Sequence, residues 1–211
     1  TRNRSREWPR LIDPKRPDAR SREPSMPRNI VLTLTGPDRI GIVEEVTRLV
    51  FDRGGNVETS RMARLGGEFA VLMLIAMPEE RAGSFDADFD GLASKGYKVT
   101  ISAADATSSP VHEGWSPYRI DVDGADHEGI IHQVARHLAG HGISIEEMDS
   151  ESAPAPTSGE PLFAMRALVL VPPDADEIWV EGLKEIGWKL NLEIDVIPVS
   201  EDELSLEDLD E

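Results

Sequence analysis

The chain has 211 residues, 40 Asp and Glu against 22 Lys and Arg, a formal net charge of −18 and no cysteine. At about 100–200 residues per domain this length allows one large domain or two small ones. The absence of cysteine excludes disulfides, thiolate zinc sites and cysteine nucleophiles, which fits a reducing compartment with the cytoplasm as default. An acidic field of this size repels phosphates and disfavours direct binding of nucleic acid, and no apolar run approaches the length of a bilayer span.

Residues 1–25 are rich in Arg, Pro and Asp and lack apolar periodicity, so they are expected to be disordered. Glu7, Asp13, Asp18 and Glu23 interrupt any targeting-peptide pattern. Met26 stands just before the first strand-like stretch, so residues 1–25 read either as an extension upstream of a natural start or as a weakly basic tether.

Residues 29–35 alternate as a strand, with Ile30, Leu32 and Leu34 on one face. Gly36-Pro37-Asp38 then breaks the strand, and Ile40, Val43, Val46 and Val50 recur at helical spacing until Gly54-Gly55, with Asp38 placed to cap the helix. Residues 56–65 and 68–77 read as strands around Gly66-Gly67, a two-residue hairpin signal. Phe85, Phe89 and Leu92 mark a second helix, and Tyr97, Val99 and Ile101 a last strand. The order is βαββαβ.

A second copy follows at constant offset: Gly36 falls on Gly124, Asp38 on Asp126, Gly41 on Gly129, Gly54 on Gly142 and Glu58 on Glu146. After an insertion at residues 155–160, Phe69 falls on Phe163 and Pro78 on Pro172. Gly91-Leu92 with Gly96-Tyr97 is matched to Gly182-Leu183 with Gly187-Trp188. A period this long marks a duplicated domain rather than a solenoid. The fold class is α+β, two ferredoxin-like domains in tandem, at residues 26–104 and 116–199, joined by a polar linker at 105–115 and ended by a solvated acidic tail at 200–211. Each copy exposes a sheet edge, and the two are expected to cover each other there.

The stretch Thr35-Gly36-Pro37-Asp38-Arg39-Ile40-Gly41-Ile42-Val43, with Gly54-Gly55-Asn56-Val57-Glu58 behind it, resembles the ACT domain, a ligand-sensing module of amino-acid metabolism. The run Arg61-Met62-Ala63-Arg64-Leu65-Gly66-Gly67-Glu68-Phe69 and the degenerate second copy are similar to the glycine cleavage system regulatory (repressor) protein family. The resemblance covers about residues 26–199. It implies a non-enzymatic regulator that answers to glycine or a similar small amino acid and acts on transcription through a DNA-binding protein partner, without a cofactor or metal.

The same resemblance implies ligand-binding residues Asp38, Arg39, Ile40, Gly41, Ile42 and Asn56 in the first copy, and Asp126, Gly129, Ile130 and Ser144 in the second. The chemistry is compatible. Unpaired N–H groups at a helix start attract a carboxylate, Gly41 lets a ligand approach the backbone, and Asp38 or the Asn56 carbonyl can accept from an ammonium. Each residue taken alone also has a plain structural role, as helix cap, packing glycine or strand start. Ile40 stands where such loops commonly carry Pro, and the second loop, Gly124-Ala125-Asp126-His127-Glu128-Gly129, adds acid beside the carboxylate position, so the first copy is the stronger candidate.

Catalytic signatures are sparse. His137 and His141 are spaced as metal ligands on a helix, but no HExxH pattern accompanies them and they read as surface histidines. No GxSxG elbow, P-loop or GxGxxG occurs. The rival readings are an ACT subunit that controls a metabolic enzyme, and a single-stranded nucleic-acid binder, which would need exposed aromatic and basic residues on its sheet. A homodimer is left open.

Overall fold

The computed structural model describes residues 28–104, 112–156 and 158–200. Residues 1–25, expected to be disordered, most of the polar linker, and residues 201–211 of the acidic tail lie outside them. The chain divides into two compact units between Thr107 and Ser108.

The first unit runs β1 (Arg28–Pro37), α1 (Ile42–Asp52), β2 (Asn56–Leu65), β3 (Glu68–Met77), the short helix α2 (Glu79–Ala82), a 3-10 turn (Asp86–Phe89), α3 (Asp90–Ala93) and β4 (Lys98–Ala103). The second runs β5 (Ser116–Ala125), α4 (Ile130–Gly140), β6 (Ser144–Pro154), β7 (Pro161–Val171), α5 (Ile178–Leu190) and β8 (Leu192–Pro198). Each builds a four-stranded antiparallel sheet, in the orders β2-β3-β1-β4 and β6-β7-β5-β8. These are two ferredoxin-like α+β units in tandem.

Strand periodicity builds each core. Ile30, Leu32 and Leu34 of β1 and Phe69, Val71, Met73, Ile75 and Met77 of β3 point to one face, where Ile42, Val46 and Val50 of α1 cover them. Burying each such side chain contributes about 1.5–3 kcal/mol. In the second unit Ile120, Val122, Met165, Val169, Ile130, Val134 and Leu138 repeat the arrangement. Between β2 and β3, Gly66 and Gly67 have φ of 60° and 87°, the pair of positive angles a type I′ hairpin turn requires. The register of β2 slips between Val57 and Thr59, and that of β6 between Ile145 and Glu147, so the duplication extends to a β-bulge at Glu58 and Glu146.

Several expectations are corrected. Pro37 does not break β1 but ends it, paired with Glu68 of β3; β4 reaches only to Thr35, so no second neighbour needs the N–H that Pro lacks. The first helix begins at Ile42, not near Ile40, and Ile40 lies outside it, fully exposed. Asp38 does not cap it: Gly41 holds the N-cap position and no side chain bonds the helix start. Phe85, Phe89 and Leu92 are all buried, as their spacing implies, but the segment is split among α2, a 3-10 turn and α3. Gly187-Trp188 is not the counterpart of Gly96-Tyr97. Asn191, the left-handed end of α5, takes the place of Gly96, and Leu192 takes that of Tyr97. Tyr97 packs on Gly36 as Leu192 packs on Gly124, while Trp188 is exposed.

Candidate functional site

The loop from Asp38 to Ile42 turns the end of β1 into α1. Its shape depends on Gly41, whose φ of 88° is left-handed; Gly129 repeats it at 87°. The Gly41 carbonyl accepts from the Glu45 N–H at 3.0 Å, and the Gly129 carbonyl accepts from the Gln133 N–H at the same distance. Because no side chain caps either helix, the positive end of the backbone dipole faces the loop.

The β2–β3 hairpin holds the loop from the side. The Asp38 N–H donates to the Gly67 carbonyl at 3.0 Å, and Arg64 Nη1 donates to Asp38 Oδ2 at 3.2 Å. In the second unit the Asp126 N–H donates to the Pro161 carbonyl at 3.0 Å, and the Ser152 hydroxyl donates to Asp126 Oδ2 at 2.7 Å. Asp38 and Asp126 therefore tie loop to hairpin, each with a different donor. Beneath the first loop, Glu45 accepts from Lys95 Nζ at 2.7 Å and from Arg39. These bonds, the Lys95 contact foremost, hold the Glu45 carboxyl below its ordinary range. The Arg39 guanidinium also lies 5.5 Å from the centre of the Tyr97 ring, whose hydroxyl donates to the Pro37 carbonyl at 2.6 Å.

The structure brings Asp38, Arg39, Ile40, Gly41 and Ile42 together, with the Ile42 side chain turned into the core, as is that of Ile130 beside Asp126 and Gly129. Asn56 stands apart. It pairs with Ala76, which pairs with Asn29, so Asn56 sits level with the start of β1 whereas Asp38 follows its end. At about 3.3 Å per residue over the span of β1, roughly 26 Å separates them. A single small amino acid cannot touch both within one unit. Asn56 instead borders a shallow groove with Glu44, Thr47, Arg48 and Phe51. Ser144, its counterpart, donates to Glu146 Oε1 at 2.8 Å.

Sequence reasoning missed Arg64, Glu45, Lys95 and Tyr97 as parts of this loop. Arg64 carried a signal, standing just before the hairpin glycines; Tyr97 was hidden by its mistaken match to Trp188. His137, read as a surface histidine, is half-buried, and its Nε2 donates to the Trp179 carbonyl at 2.8 Å, joining α4 to α5. Among the described residues no group of three or more His, Asp or Glu is placed to hold a metal ion.

A family model described as the ACT domain matches residues 28–97. The glycine cleavage system transcriptional repressor of Escherichia coli (strain K12) is 30% identical over 168 residues, covering 77% of this chain and 85% of that relative. The chain belongs to the glycine cleavage system transcriptional repressor family. The repressor of Shigella flexneri matches to the same extent. Among solved structures, a protein of unknown function from Galdieria sulphuraria is 30% identical with a TM-score of 0.74, covering 82% of this chain and 99% of that one. A crystal structure assigned provisionally as a glycine cleavage system transcriptional repressor has a TM-score of 0.59 at 20% identity, covering 83% of this chain and 99% of that one, and agrees in fold. Membership in the repressor family makes this a tandem ACT-domain protein of transcriptional regulation, and both duplicated loops belong to that frame.

Proposed function

We propose that the chain is a non-enzymatic cytoplasmic regulator that senses glycine or a similar small amino acid and modulates transcription of glycine and one-carbon metabolism genes through a protein partner. The observation that carries the sensing role is the duplicated loop, in which Gly41 and Gly129 present an uncapped helix start beside a tethered carboxylate. A ligand carboxylate meets the first backbone N–H groups of α1, and its ammonium meets Asp38 or a backbone carbonyl. Ile40, fully exposed at the tip, forms an apolar wall that suits a small side chain. The distance of Asn56 from the loop means that Asn56 does not contact a ligand held by the loop of its own unit.

Support for the partner is electrostatic. A chain of net charge −18 has no excess of cations with which to release counterions from DNA. The relatives it matches are named as transcriptional repressors. The chain therefore reaches a promoter through a DNA-binding protein. In a gel-retardation experiment at physiological salt, the purified chain alone leaves glycine cleavage promoter DNA unshifted, while adding it to a promoter complex of a cognate DNA-binding regulator alters that complex. Specific retention of the DNA by the pure chain contradicts the reading.

A further inference from the structure

The duplication sets two different side chains against the same aspartate. Arg64 and Ser152 hold equivalent positions, Arg64 in register with Phe69 and Ser152 with Phe163, and each donates to the carboxylate of its own loop, Asp38 or Asp126. The first unit therefore places a cation and an anion side by side, 3.2 Å apart, where the second places a hydroxyl on an anion. The neighbouring positions diverge in the same sense. Arg39 falls on His127 and Ile40 on Glu128, so the second loop gains an acid where the first has an apolar residue. Asp38 and Arg64 cancel in charge, whereas Asp126 and Glu128 add.

We propose that the Asp38–Arg64 pair is the element that recognises the amino acid, its ammonium taken by Asp38 and its carboxylate by Arg64 together with the start of α1, and that the second loop, lacking the cation, takes none. The assignment rests on the Gly41 loop being the amino-acid site, and goes beyond it in naming Arg64, the polarity of the bound ligand and a stoichiometry of one per chain. An amino acid carries its ammonium and its carboxylate on one carbon, so its complement is an anion beside a cation, which is what the pair presents. Arg64 spends one of its five N–H donors on Asp38 Oδ2, and its side chain is 73% exposed, so the rest of the guanidinium fork is open to a carboxylate. An exposed ion pair contributes little to stability, and little is lost when each member turns to a ligand group of the same charge as the partner it gives up. In the second unit the Ser152 hydroxyl is neutral, and Asp126 and Glu128 repel a carboxylate.

Isothermal titration calorimetry of the full chain with glycine, with glycinamide, which lacks the carboxylate, and with N-acetylglycine, which lacks the ammonium, tests it. The wild type binds one glycine per chain and prefers it at least about tenfold to either analogue, as loss of a charged hydrogen-bond partner implies. Arg64→Gln weakens glycine at least about tenfold and leaves glycinamide unchanged, a split that a merely structural change does not produce. Asp38→Asn gives the reciprocal split, weakening glycine and leaving N-acetylglycine unchanged, and it carries the test if circular dichroism shows that Arg64→Gln has lost its fold. Two glycines per wild-type chain overturn the proposal, because Ser152 would then serve as well as Arg64. A glycine affinity unchanged in folded Arg64→Gln but lost in folded Gly41→Val overturns it alone and leaves the loop as the amino-acid site, whereas a wild type that binds no glycine removes both.

Discussion

The His137 ring fills the space above Gly182 so closely that a Cβ there would lie 2.2 Å from His137 Cε1, while Nε2 of the same ring donates to the Trp179 carbonyl at 2.8 Å. Helices α4 and α5 thus meet through a histidine that needs a glycine opposite. Gly182→Ala is expected to destabilise the second unit by about 1–3 kcal/mol through overpacking. In a His137→Ala background the same change costs little, because the space is free. Urea denaturation of the four proteins in a double-mutant cycle checks this; additive losses contradict the packing account.

The Glu45 carboxyl is held below its ordinary value of 4.5 by its bonds to Lys95 and Arg39. A depressed folded-state pKa contributes stability that is fully present above the unfolded value and is lost as pH falls through the folded one. Glu45→Gln is therefore expected to lower stability at neutral pH and to flatten the loss on acidification below 4.5. Thermal unfolding across that window measures it, and an acid limb of unchanged slope would remove Glu45 from the explanation.

Gly41 has a left-handed backbone but nothing within 4 Å of the position a Cβ would take. Gly41→Ala is expected to cost about 1–2 kcal/mol from backbone conformation alone, with the circular dichroism spectrum unchanged. Gly129→Ala should behave alike, since its angle and open surroundings are the same. A collapse of the fold in either variant would mean the loop is packed more tightly than its geometry indicates.

The βαββαβ order and both β2–β3 strand boundaries were legible, because alternation and a Gly-Gly turn are local signals. The site was less so. Ile40 fits a helical spacing with Val43 and Val50, yet only the structure shows the core face to be Ile42, Val46 and Val50. The separation of Asp38 from Asn56 was implicit in the topology: α1 returns the chain along β1, so the residue opening β2 must stand at the other end of the sheet. The resemblance supplied both residues without saying that one unit cannot bring them together. The match of Tyr97 to Trp188 failed because α5 continues through Gly187 and Trp188, where the first unit has already left its helix.

Asn56 lines a groove at the far end of the sheet from the loop. Asn56→Ala is expected to leave the fold intact and, where a second copy of the chain supplies it to the ligand, to weaken amino-acid binding by about 1–3 kcal/mol, as loss of a partner to a buried polar group does. Ser144→Ala has a smaller effect, since Ser144 is already engaged with Glu146. Equal losses in the two variants would contradict the greater weight given to the first loop.

The central claim is that the Gly41 loop receives a small amino acid, and isothermal titration calorimetry of the full chain with glycine and serine, in the wild type and in Gly41→Val, tests it most directly. A saturable heat of binding to the wild type that is abolished in a folded Gly41→Val protein is the predicted result; absence of binding to either amino acid, or the same affinity in both proteins, would contradict it.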